Sequence, residues 1–309
     1  MFLFLSLSSS TIFSEQFIQG MRYSISDPFC ITDCRVFNIN AGSTIDGGAF
    51  YISGATDFGV ICMRNTFYEC RGKHGGAIYI LGITLYCSKC CSNNCWASAH
   101  YGFVNAQCST DGIIMMNMTS TTKSGSTAIG ETVMISGGYQ IIRSLNQSDN
   151  SAVSRSCTIA FLSSKITDFK YSTFAQNHGT SLFFIYYYTQ TVPLSYINIV
   201  NNYLSVSLFY CYYSTSSFSQ CIIFNNNVKV AEISSSSISI SNSVLSGESL
   251  NGVSYTNIEI KTQLINTYTI RFMITYLCPG VSIFTSSKAS SFQRDFSFIM
   301  ILIALVSTS

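Results

Sequence analysis

The phrase GGAFYI at residues 47 to 52 returns as GGAIYI at residues 75 to 80. A glycine pair ahead of a short alternating strand, recurring after 28 residues, is how one rung of a solenoid is encoded. A single rung cannot bury its own apolar face, so a chain built this way must stack each rung on its neighbours.

The phrase can be followed in weaker form along the chain. Phe37-Asn38-Ile39-Asn40 precedes the first copy, and Phe67-Tyr68-Glu69-Cys70 precedes the second. Later versions are Cys91 to Asn94 before Ala97 to Tyr101, Phe174 to Asn177 before Thr180 to Phe184, Asn201-Asn202 before Ser207 to Tyr210, and Phe224 to Asn227 before Val230 to Ile233. Taking Ala49, Ala77, Ala99, Leu182, Leu208 and Ala231 as equivalent gives steps of 28, 22, 26 and 23, plus a gap of 83 with room for about three poorly marked rungs.

Each part of the phrase has a physical role. Alternation along the strand sends Phe50 and Ile52 to one side and Tyr51 to the other. The glycines Gly47, Gly48, Gly75 and Gly76 supply a positive φ or a close backbone approach at a tight corner. Ala49 and Ala77 open the strands. Phe37, Phe67, Phe174 and Phe224 are the expected inward anchors. Asn40, Asn177 and Asn227 then stand at corners, where Asn tolerates the left-handed conformation and stacked Asn can form a ladder.

These features predict an all-β chain folded as a right-handed parallel β-helix of about ten irregular rungs, spanning residues 28–285. At about 4.8 Å per rung, ten rungs make a rod on the order of 50 Å long. Residues 1–27 form an amino-terminal segment, and residues 286–309 form a carboxy-terminal tail. Only 3 prolines interrupt 309 residues, and Pro28 and Pro279 lie near the expected ends of the stack, as suits extended sheet.

With 10% charged residues and a net charge of +2, the chain carries no nucleic-acid footprint. Its polarity comes from Ser, Thr and Asn, a composition that suits the cell surface or secretion. Met1 to Ser10 is at best a truncated signal peptide, its apolar run being shorter than usual, and residues 1–27 are expected to be either that weak signal or a cap. The apolar run Phe296 to Val306 is shorter than a membrane span, but with Ser286, Ser287 and a polar spacer it fits a lipid-anchor signal or a capping segment. The alternating stretch Tyr268 to Tyr276 is expected to be a late strand that the tail covers.

The 13 cysteines leave at least one thiol outside any internal pairing. Cys87, Cys90, Cys91 and Cys95 have the spacing of a zinc knuckle, but alternation along a strand would scatter their thiolates. Disulfides remain open as a second reading; buried thiols packed as small side chains are preferred. No metal or cofactor is expected. Asn117-Met118-Thr119 and Asn146-Gln147-Ser148 are glycosylation sequons.

The GGAF and GGAI phrases, with Phe-x-x-Asn at 37 to 40, 174 to 177 and 224 to 227, resemble the repeats of polymorphic outer-membrane proteins. The mixture of FxxC, GGAIY, Ser-rich corners and scattered cysteines also resembles the large sets of surface proteins in parasitic protists such as trichomonads. The resemblance covers about residues 30 to 245 and implies a right-handed parallel β-helix associated with adhesion or host contact.

Polysaccharide lyases and hydrolases share this architecture and need clustered carboxylates. Here the 14 acids are dispersed, with no Asp-x-Asp pair. Asp46 and the corner Lys73-His74 in the next rung are the nearest approach to an acid and base pair. His74 and His178 both precede a glycine and are expected at the same place in the repeat, so no catalytic residue is assigned. Phe183 to Tyr188 and Phe209 to Tyr213 stand 26 residues apart, which predicts stacked aromatics on one side. Their outward members suit a protein or glycan partner. The expected function is therefore a noncatalytic surface or secreted β-helix mediating adhesion, with a carbohydrate-active enzyme or a purely structural protein as alternatives.

Overall fold

A computed structural model describes residues 11–14, 17–19, 23–25, 29–53, 59–82, 84–128, 130–153, 156–162, 165–188, 190–247 and 249–262. The regular elements among them are strands, and the strand pairings are parallel. The chain winds as a β-solenoid with three faces. Residues 1–10 and 263–309, with the expected signal segment, late strand, tail and anchor run, lie outside the described residues.

The first face contains Phe29–Thr32, Gly59–Met63 and Thr84–Ser88, stacked in register so that Phe29 meets Val60 and Val60 meets Leu85. A residue with positive φ then turns the chain: Asp33 at 55°, Arg64 at 54° and Lys89 at 53° in successive rungs. The second face follows, and its inward column runs Val36, Phe67, Ser92, Thr121, Gln147, Phe174, Ile199 and Ile223, in steps of 24 to 31 residues. A second left-handed residue, such as Asn38, Asn94 or Asn201, leads towards the third face. That face carries Phe50–Ser53, Ile78–Leu81, Val104–Gln107 and their successors.

The stack reaches back to Thr11–Ser14, which pairs with Phe29–Thr32, so strands already occur ahead of residue 28. Rungs carrying all three faces are somewhat fewer than the ten expected. Among the described residues the last two passes, Ser237–Leu245 and Val253–Ile260, pair as strands along the first two faces, and the third face continues as the bond from the Val230 N–H to the Ser249 carbonyl.

Phe50, Ile52, Ile78 and Ile80 point inward, fully buried, while Tyr51 is turned out, as the alternation predicts. Interior aromatics touch within a rung, Phe29 to Phe50 at 5.2 Å, and from rung to rung, Phe67 to Phe103 at 5.6 Å and Phe183 to Phe209 at 5.3 Å between ring centroids. The middle rungs are different. Thr119, Thr121, Thr132, Gln140, Gln147 and Thr158 are buried, and they bond within the interior: Gln147 donates to the Thr158 carbonyl and Thr132 to that of Cys157. Polar interior residues at these positions explain why the repeat fades from the sequence there.

Two registers differ from expectation. The N–H of Ala77 donates to the carbonyl of Phe103, and that of Phe103 to Thr132, so Phe103 rather than Ala99 continues the Ala49 and Ala77 series. Ala99 belongs to Trp96–His100, which pairs with Arg71–His74 one segment earlier. The 83-residue gap therefore closes with Thr132 and Thr158 as the intervening members. Further on, Ala231 pairs with Phe209, which leaves Val230 beside Leu208.

The paired glycines owe their place to contact between rungs. A Cβ on Gly48 would lie 1.7 Å from the Gly76 carbonyl oxygen, and one on Gly76 would lie 2.1 Å from that of Gly102. Gly47 and Gly75 stand at φ of 69° and 62°, where an L side chain is strained.

Candidate ligand-contact surface and corner columns

Three residues beyond each inward anchor of the second face lies one buried column: Ile39, Cys70, Cys95, Ser124, Asn150, Asn177, Asn202 and Asn226. Each member follows a left-handed residue, and the asparagine side chains reach the backbone of the preceding rung. Asn177 accepts the N–H of Asn150 at 3.1 Å, Asn202 that of Asn177 at 3.0 Å and Asn226 that of Asn202 at 3.0 Å. Ser124 does the same for Cys95 at 3.1 Å. An analogous column follows the first corner, where Asn65 accepts the N–H of Cys34 and Ser243 that of Cys221.

This column locates the expected motif residues. Phe67 and Phe174 are the inward anchors foreseen, and Asn177 is a ladder member. Phe37 and Phe224 are only half-buried, because Val36 and Ile223 take the anchor positions. Asn40 and Asn227 consequently stand one residue past the buried column and are exposed. In both cases an apolar residue next to Phe allowed the phrase to be read one place late.

Cysteines share the corner role. The thiols of Cys34, Cys90 and Cys221 each donate to the carbonyl two residues earlier, at 3.2, 3.4 and 3.3 Å. Ser124, Ser172 and Ser243 do likewise through their hydroxyls. Of the apparent zinc knuckle, Cys87 lies in the first face, Cys90 and Cys95 at successive corners and Cys91 in the second face. Cys91 is disulfide-bonded, and the other cysteines among the described residues are free thiols. No three His, Cys, Asp or Glu among the described residues are grouped to hold a metal.

Asp46 and His74 meet across rungs, with Asp46 Oδ1 2.8 Å from His74 Nδ1. His74 also stacks on His100 at 5.5 Å, and Tyr79 and Tyr101 each lie 6.3 Å away. Burial, and then the Asp46 charge, raise the Tyr79 phenol above its ordinary value. His178 is elsewhere: it pairs with Ser151, in the column that runs through Asn40, Arg71 and Trp96, with Arg71 three residues ahead of His74. The early rungs hold a longer segment between the second corner and the third face, which breaks the expected equivalence.

The aromatic runs fall into the predicted register. Phe184 stacks on Tyr210 at 5.3 Å, Tyr186 on Tyr212 at 5.0 Å and Tyr187 on Tyr213 at 5.3 Å, with interplanar angles of 14°, 11° and 7°. Tyr187 and Tyr213 are each 47% exposed at left-handed corners. Within each pair the stacked rings cover the faces they share, so ring edges and hydroxyls are presented along the side of the stack. Tyr51 over Tyr79 at 5.5 Å forms a second pair in the outward column shared by Phe184 and Tyr210.

Of the sequon residues, Asn146 is buried in the second face and Asn117 half-buried in the first. No helix among the described residues is long and apolar enough to cross a membrane.

The architecture makes this chain a parallel β-solenoid protein. No protein-family model, curated protein or solved structure matches it.

Proposed function

We propose that the chain is a noncatalytic β-helix protein of the cell surface or the secreted space that contacts a protein or glycan partner through its tyrosine-rich corner. The observation that carries this reading is the double stack formed by the half-exposed Tyr186 and Tyr212 at the end of the third face and the exposed Tyr187 and Tyr213 at the corner that follows. Tyrosine supplies large contact area with little side-chain entropy to lose, together with a polar tip. The resemblance to adhesive surface proteins supports the same reading, and residues 286–309 are the proposed means of membrane association.

Binding of the purified full chain to host-type cells or matrix tests this. Changing Tyr186 and Tyr212 together to Ser should lower binding at least tenfold with the fold intact. Equal binding by that variant, or surface labelling confined to permeabilised cells, would overturn the proposal.

The second reading, a carbohydrate-active enzyme, is favoured by the Asp46 and His74 contact, since a carboxylate on one imidazole nitrogen orients the other for proton transfer. Cleavage of a polysaccharide by the wild type, abolished by Asp46→Asn, would establish it.

A further inference from the structure

The aromatic column at the third corner ends abruptly. Tyr187 covers one face of the Tyr213 ring at 5.3 Å, and in the next rung the same position is Ser235, since Tyr212 pairs with Ser234. Ser235 has the left-handed backbone of Tyr187 and Tyr213, with φ of 49° against 55° and 47°, but it carries no ring. No aromatic of the next rung therefore lies against Tyr213; within its own rung Tyr212 meets it perpendicularly, at 4.5 Å between centroids and 90° between planes.

The neighbouring column shrinks as well. Tyr188 is followed by Ser214, whose N–H donates to the Ser236 hydroxyl at 3.0 Å in the next rung. The change from tyrosine to serine leaves an open depression of about 380 Å³ between Tyr188, Tyr213, Thr215, Ser235 and Ser237. None of the residues around it is charged. Thr215, Ser235 and Ser237 are exposed there.

From this geometry we infer that the side of Tyr213 turned towards the next rung and the adjoining hydroxyls form a subsite for an uncharged sugar ring. The inference rests on the contact-surface reading above and names its ligand class. An aromatic face is electron-rich, so it attracts the polarised C–H bonds along one face of a pyranose. Hydroxyls both donate and accept, which matches the alternating demands of sugar hydroxyls. An acidic sugar would bring a carboxylate to a place without a compensating cation, and its desolvation would oppose binding.

The test is saturation-transfer NMR on the full chain with the methyl glycosides of glucose, galactose, mannose and xylose, and methyl glucuronide as the charged control. Transfer to at least one neutral glycoside and not to the glucuronide is expected. Tyr213→Ala should reduce it at least tenfold, and Tyr213→Phe should retain most of it. Ser235→Tyr is the sharper variant: its backbone already suits tyrosine, and the added ring would extend the stack, cover that side of Tyr213 and abolish transfer. Absence of transfer from every neutral glycoside, or equal transfer in Tyr213→Ala and Ser235→Tyr, would overturn the inference. Cell or matrix binding lost on changing Tyr186 and Tyr212, without glycoside transfer, leaves the contact-surface reading standing and this one refuted. Glycoside transfer without cell or matrix binding does the reverse.

Discussion

The Asn177 side-chain amide donates to the Asn202 side-chain oxygen at 2.9 Å, and that same oxygen accepts the Asn177 backbone N–H at 3.0 Å. One amide oxygen thus serves two donors from the preceding rung, and Asn226 repeats the arrangement for Asn202. The corner is held by side chains where the backbone ladder is interrupted.

Removing one member should therefore orphan a buried donor. Asn177→Ala leaves the Asn150 N–H without its acceptor and should cost about 1–3 kcal/mol. Asn177→Ser should cost roughly 1 kcal/mol less, because Ser124 fills the same role two rungs earlier. Urea denaturation of both variants measures the difference.

Phe67 and Phe37 offer a direct check of the register. Phe67 is fully buried, whereas Phe37 is half-buried beside the true anchor Val36. Phe67→Ala should destabilise by about 3–5 kcal/mol, and Phe37→Ala by about 1 kcal/mol or less. Reversed magnitudes in thermal or urea unfolding would contradict the assigned faces.

Glycine substitutions should separate close contact from backbone freedom. Gly76→Ala places a Cβ 2.1 Å from the Gly102 carbonyl oxygen, which the stack can relieve only by parting rungs. That variant should fail to accumulate as folded protein. Gly42→Ala meets nothing within 4 Å and bears only the strain of φ near 87°, about 1 kcal/mol. Soluble yield and circular dichroism distinguish the two.

Buried thiols give the protein an alkaline limit. Burial raises Cys211 and Cys221 from the ordinary value of 9.0 to about 12. A raised thiol favours the neutral form in the folded state, so its stabilisation is complete below pH 9.0 and disappears as pH rises towards 12. Unfolding midpoints should therefore fall between these limits. The fall should be smaller in Cys221→Ser, whose hydroxyl occupies the corner as Ser243 does in the following rung.

The two sequons are unequal in the folded state. Asn117 is half-buried and Asn146 is 7% exposed, so only Asn117 can carry a glycan without opening the second face. Peptide mass spectrometry after expression in glycosylating cells should find Asn117 occupied in preference to Asn146. Folded protein with Asn146 fully glycosylated would refute this.

The solenoid was legible because GGAFYI and GGAIYI are strong local signals of corner and strand, and the 26-residue offset of the two aromatic runs translated directly into stacked rings. Other features were hidden for a physical reason. The corner column asks only for a small side chain that reaches the neighbouring rung, and Cys, Ser and Asn all meet that demand. Cys70, Cys95, Ser124 and Asn150 consequently do not look alike as letters. Had the hydrophobic-x-x-[Cys/Ser/Asn] spacing been followed instead of Phe-x-x-Asn, Val36 to Ile39 would still have escaped, because Ile39 is apolar. The Tyr213 depression depends on what is missing from the next rung, and a single run of residues does not reveal such an absence.

The outward column from Tyr51 and Tyr79 through Asn105, Met134 and Ala160 to Phe184 and Tyr210 works as a ruler. Parallel strands fix its graduations at about 4.8 Å, so four steps hold the two aromatic pairs about 19 Å apart on an inextensible scale. A partner with two aromatic-seeking groups gains from the second contact only when its own span matches that interval. Inserting or deleting one rung between Asn105 and Ala160 would change the interval by a single graduation while leaving both pairs intact.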